Sequence, residues 1–160
     1  MKDNSAIKEK SLNPSQGAMR SPPKEISSEE KFAVLDERIL TALNAAGEKK
    51  AIDIVVLDLR AVASFTDYFV ITSGANQRQV QAISDEVADK LKQAGTPAAR
   101  IEGYRTAEWI LLDYGDFIVH VFDEKSRRFY DLERLWREGK RVELPDEFAN
   151  QGVSSLRKES

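Results

Sequence analysis

The sequence predicts an α/β (α+β) domain built on one mixed sheet of about five strands flanked by helices. Three observations carry that reading. AIDIVVLDL (51–59) and YFVITSG (68–74) are β-branched runs with the composition of strands. WILLDYGDFIVHVF (109–122) alternates on either side of a Tyr114-Gly115-Asp116-Phe117 turn, as a hairpin does. Between these runs, apolar residues recur at helical spacing. The order α-β-β-α-β-β-β-α implies a sheet with helices packed on it.

The elements follow in order. SSEEKFAVLDERILTALNAAG reads as a helix capped by Ser28, with Phe32, Leu35, Ile39, Leu40 and Leu43 on its apolar side and Gly47 as its stop. Ser64–Asp67 make a turn between the first two strands. NQRQVQAISDEVADKLKQAG is a helix capped by Asn76, with Val80, Ile83, Val87 and Leu91 as its stripe and Gly95 at its end. ARIEGY gives a short strand. SRRFYDLERLWREG gives one short helix in which Tyr130, Leu132, Leu135 and Trp136 are the apolar anchors. Residues 1–28 and 145–160 are poor in large apolar residues and are expected to form flexible extensions around a single folded unit, 29–144.

Composition narrows the function. The chain of 160 residues has no cysteine, which excludes disulfides, thiolate metal sites and cysteine nucleophiles. No apolar run approaches the roughly 20 residues of a membrane helix, and the N-terminal residues lack the apolar stretch of a signal peptide. A cytoplasmic protein with no membrane partner is expected. A net charge of -3 gives no general attraction to nucleic acid, and no DNA partner is expected. Basic residues do gather at Lys125, Arg127 and Arg128, and at Arg137, Lys140 and Arg141, as a solvated helix surface or a phosphate patch.

The hairpin separates two faces. A Gly115-Asp116 turn pairs Tyr114 with Phe117, Asp113 with Ile118, Leu111 with His120 and Trp109 with Phe122. Ile110, Leu112, Tyr114, Phe117, Val119 and Val121 then form an apolar face for the helix layer. Trp109, Leu111, Asp113, Ile118, His120 and Phe122 form a mixed face. It is either a second core in which His120 is a satisfied histidine, or a partly open face that binds a partner.

Candidate chemistry is sparse. A serine triad would have to combine Ser73 with His120, the one histidine, but no G-x-S-x-G elbow surrounds Ser73. TSGAN lacks the spacing of a phosphate-binding glycine loop and reads as a turn with an Asn cap. Strand, Ser-Gly and helix in that order also suit nucleotidyltransferases, which need paired carboxylates for magnesium. In the folded region the one acid-x-acid spacing, Asp131-Leu132-Glu133, falls in the last helix, where residues two apart do not share a face.

DIVVLDLR, FTDYFVITSGANQRQVQAI, RIEGY followed by EWILLDYGDFIVHVF, and SRRFYDLERLW together resemble the ribosomal silencing factor, or Iojap-related, family over about residues 34–142. The motif positions that match are Asp67, Gly74, Glu102, Gly103, Trp109, Asp113 and Gly115, then His120, Arg128, Tyr130, Leu132, Glu133 and Trp136. The resemblance implies a nucleotidyltransferase-like fold without catalytic carboxylates, no cofactor and no enzyme activity. It also implies binding of the large ribosomal subunit through ribosomal protein number fourteen, which blocks the small subunit and damps translation. Organellar relatives act in large-subunit biogenesis. Contact with ribosomal RNA and self-association stay open. The expected partner-binding residues are Glu102, Tyr104, Glu108, Trp109, Asp113, His120 and Phe122, with Trp109 as a central apolar anchor among acids. The alternative is an enzyme acting on a nucleotide with a metal ion, using Ser73 and Asp113.

Overall fold

The computed structural model describes residues 35–149. The helices are α1 (Glu37–Glu48), α2 (Gln77–Gln93), α3 (Glu124–Tyr130), α4 (Leu132–Leu135) and α5 (Asp146–Ala149). The strands are β1 (Ile52–Asp58), β2 (Tyr68–Gly74), β3 (Arg100–Glu102), β4 (Trp109–Asp113), β5 (Phe117–Asp123) and β6 (Lys140–Arg141). They form one sheet in the order β3-β4-β5-β2-β1-β6. β2 and β5 pair in parallel and every other pair is antiparallel, so the sheet is mixed, as expected. The sixth strand was not expected, because Lys-Arg has no strand composition. Leu57 and Asp58 of β1 recruit it.

The helices form where the apolar spacing put them, with different ends. The expected start at Ser28 lies outside the described residues, but Leu35 and Asp36 are described and not helical, so one continuous helix from Ser28 does not form. α1 begins at Glu37, and the Asp36 carboxylate accepts from the Arg38 N–H at 2.8 Å. Gly47 does not stop α1. The Ala51 N–H bonds the Ala46 carbonyl and the Lys50 N–H bonds that of Gly47, with Lys50 in the left-handed position at φ 61°. α2 ends by the same pair of bonds, with Gly95 in the equivalent place at φ 93°. Asn76 caps α2 by accepting from the Gln79 N–H, and Val80, Ile83, Val87 and Leu91 are all buried.

The last expected helix is two. Asp123 caps α3 through the Ser126 N–H at 2.7 Å, earlier than expected, and Asp131 at φ 49° breaks the chain before α4. That break changes which side chains point inward. Leu132 is buried and Trp136 half-buried, but Tyr130 and Leu135 are 47% and 68% exposed and are not core anchors. The folded unit also runs past the expected limit at 144, because Phe148 of α5 is buried in the main core.

The sheet buries both faces unequally. α1 and α2 cover one face, where Ile54, Val56, Val70, Ile110, Leu112, Phe117, Val119 and Val121 meet the helix stripes. A smaller core lies on the other face around Val55, Leu57, Phe69, Ile71, Ile118, Phe122 and Leu132, and Trp109, Leu111 and Trp136 lie partly open at its margin. The hairpin register is the expected one, from Trp109 opposite Phe122 to Asp113 opposite Ile118.

One backbone approach secures the margin. Gly103 sits at φ 81°, and a Cβ there would overlap the backbone oxygen of Trp109. Gly103→Ala therefore combines left-handed strain with a backbone collision, and is expected to lower unfolding free energy by about 3 kcal/mol in urea titration.

Candidate functional site

The mixed face of the hairpin is neither wholly sealed nor wholly open. Trp109 and His120 are diagonal neighbours across β4 and β5, since His120 pairs with Leu111. The indole Nε1–H of Trp109 donates to His120 Nδ1 at 3.0 Å. The imidazole is therefore the tautomer with its proton on Nε2, and that buried atom has no partner among the described residues. Phe69 meets the His120 ring edge-on at 4.4 Å between centroids, with Phe122 stacked at 6.3 Å. Burial pushes the His120 pKa down to about 3, so the ring stays neutral at ordinary pH.

His120 and Phe122 were expected to touch a partner. They are 3% and 0% exposed, so direct contact is corrected to support from beneath. Trp109 lies half-buried above them, stacked on Phe122 at 5.0 Å and against Tyr130 at 4.7 Å. Phe129, 78% exposed, meets Tyr130 edge-on at 4.9 Å. Trp109, Tyr130 and Phe129 thus form an aromatic surface whose one indole donor is turned inward. Sequence reasoning did not single out Phe129 and placed Tyr130 in the core. The signal was Asp123, whose cap sets the phase of α3.

The acids do not converge on Trp109 as expected. Glu108 is exposed beside it and lines a cleft with Lys125, Arg128, Phe129 and Tyr130. Asp113 is four residues along β4, roughly 13 Å away at strand rise. There it accepts from the Gly115 N–H in the turn and from Arg100 at 3.2 Å. Arg100 also meets Glu102 at 3.3 Å, which offsets part of the acidity of that edge. Tyr104 turns toward α2, where its hydroxyl donates to Asp85 at 3.0 Å and that contact raises its pKa.

A second cleft lies between β1, β2 and α3, lined by Asp53, Ser73, Arg127, Asp131, Glu133 and Arg141 among others. β1 bulges at Asp53, at φ 52°. Arg127 fills the gap. Its Nη1 donates to the Asp53 carbonyl at 2.8 Å and to Ser73 Oγ at 3.0 Å, and its Nη2 donates to Glu133 at 2.7 Å. Arg127 is thus buried rather than part of a solvated basic face, and Ser73, 2% exposed, is held by it rather than by His120. Among the described residues no group of three or more His, Cys, Asp or Glu could hold a metal ion. No helix among them is long and apolar enough to cross a membrane.

The buried histidine gives a pH signature. The folded chain keeps His120 neutral down to about pH 3, whereas the unfolded chain protonates it near 6.5. Its contribution to stability is complete above pH 6.5 and is lost as pH falls from there toward 3. Unfolding free energy from urea titration is expected to fall over that window, and to fall less steeply in His120→Gln. That variant should also change Trp109 fluorescence if the imidazole fixes the indole.

Comparison with known proteins agrees with this architecture. Residues 33–160 match the family model described as "Ribosomal silencing factor during starvation". Ribosomal silencing factor RsfS of Halalkalibacterium halodurans is 40% identical over 108 residues, covering 68% of this chain and 92% of that protein. A crystal structure of a Bacillus halodurans protein superposes with a TM-score of 0.61 at 40% identity, covering 68% of this chain and 98% of that one. The mouse protein named "Mitochondrial assembly of ribosomal large subunit protein 1" is 33% identical over 92 residues, covering 56% of this chain and 40% of its own. The fold, the hairpin and the family match point the same way: the chain belongs to the ribosomal silencing factor family.

Proposed function

We propose that this chain is a translational repressor that binds the large ribosomal subunit through ribosomal protein number fourteen and occupies space the small subunit needs. The observation that carries the reading is the exposed aromatic surface of Trp109, Tyr130 and Phe129, seated on buried Phe122 and His120. Aromatic residues on a rigid base are the usual centre of a binding hot spot, because they bury much area at small entropy cost. Glu108, Glu102 and Asp113 form a dispersed acidic rim, and the chain carries a net charge of -3, which suits a basic ribosomal protein.

Family membership supports a ribosomal role, and the name of the mouse relative ties that protein to the large subunit. The mechanism is steric and needs no turnover. Of the expected residues, Trp109 and Glu108 remain as direct contacts and Glu102 and Asp113 as a more distant rim. Tyr104 sits on the helix side of the edge, away from this surface.

Gradient sedimentation with purified subunits tests the reading. The chain should travel with large subunits and prevent their joining to small ones. Trp109→Ala, folded by circular dichroism, should weaken that association by about 2 kcal/mol or more, a factor of roughly thirty. Asp113→Lys should weaken it less. Full affinity in both variants would defeat the assignment. Light scattering over a concentration series tests the competing occupant of this surface, a second copy of the chain.

A further inference from the structure

We propose that a belt of exposed cations beside the aromatic surface is a second contact, made to the phosphodiester backbone of RNA. From Glu124 to Arg141 the chain carries seven basic residues against four acidic ones, a local excess of three in a protein whose net charge is -3. Other arginines are committed to carboxylates: Arg38 to Asp36, Arg60 to Asp58, and Arg127 to Glu133, each within 2.8 Å. Lys125, Arg128, Arg134 and Arg137 are exposed and make no ion pair among the described residues.

These cations lie along connected clefts. Lys125 and Arg128 line one with Phe129 and Tyr130. Arg128 and Arg141 line the next, which also carries Asp53, Glu124, Asp131 and Glu133, the last 3.9 Å from Arg141. Arg141 shares a third with Arg134 and Arg137, around Trp136. Neighbouring clefts share a cation, Arg128 or Arg141, so the basic side chains form a continuous series from one cleft to the next.

RNA fits better than a point anion. The cations are spread along a path rather than gathered on one centre, and Phe129 offers an open ring beside Arg128 for a base to stack on. The belt is continuous with the proposed docking surface through Phe129 and Tyr130, so a ribosomal protein seated on Trp109 would bring the belt against neighbouring RNA. The inference rests on the ribosome-binding reading in that respect. The belt and the tryptophan nevertheless fail separately.

The test uses the full chain and a fluorescein-labelled oligouridylate, with anisotropy read across a potassium chloride series. Four phosphate contacts give a slope of log affinity against log salt of about -3, and removing two should roughly halve it. Arg128→Glu/Arg137→Glu is expected to show the halved slope, and Lys90→Glu/Lys92→Glu, an equal charge change in the last turn of α2, the full one. Arg128→Gln/Arg137→Gln repeats the measurement if the reversal disturbs folding. Equal loss in both double reversals would mean that net charge alone matters, and a binding curve insensitive to salt would mean no phosphate contact. Either result overturns the belt. Trp109→Ala should keep oligouridylate binding and lose subunit sedimentation. If Trp109→Ala instead keeps subunit binding, the protein-docking reading fails while the belt stands.

Discussion

The parallel seam between β2 and β5 is the constraint from which the rest of this structure follows. It sets Ile71 beside His120, Ser73 beside Phe122, and Gly74 beside Asp123. The last pairing puts the cap of α3 at the same end of the sheet as the turn into α2. From there Arg127 reaches back across β2 to the bulge in β1 and donates to the carbonyls of Ile52 and Asp53. Aligning these two strands therefore positions a helix, its aromatic residues and a buried cation together. A one-residue slip would exchange the two faces of β5 and put His120 under α2.

The same seam explains the chemistry of the hairpin. β5 is buried along almost its whole length, so its histidine sits in an apolar setting that disfavours charge. Trp109 on the adjacent strand satisfies its Nδ1, while its buried Nε2 has no partner among the described residues. A polar pair is thereby consumed inside the fold. What reaches the surface is aromatic area, held by stacking from below and by Tyr130 from the side.

Much of this was legible in the residues. The two central strands, the stripe of α2 and the whole hairpin register follow from local pattern and turn chemistry, because β-branched runs and a Gly-Asp turn leave few alternatives. The stretch after Asp123 was less legible. Its break at Asp131 depends on a non-glycine residue taking a left-handed conformation, and the apolar spacing alone reads through it. Lys50 hides the end of α1 in the same way. β6 and α5 have no pattern of their own and exist because β1 and the main core offer them a place. On the mixed face of the hairpin, sequence picked out Trp109, His120 and Phe122 but could not rank them by depth. Depth depends on where α3 and its aromatics settle.

The edges of the sheet carry a further consequence. β3 offers three residues and then leaves the sheet at Gly103, while β6 offers two. Both edges present charge, Arg100 and Glu102 on one side and Lys140 and Arg141 on the other. Short, charged margins resist growth of the sheet into another molecule. Stray strands from unfolded neighbours find little template here, and that guards the chain against aggregation in a crowded cell.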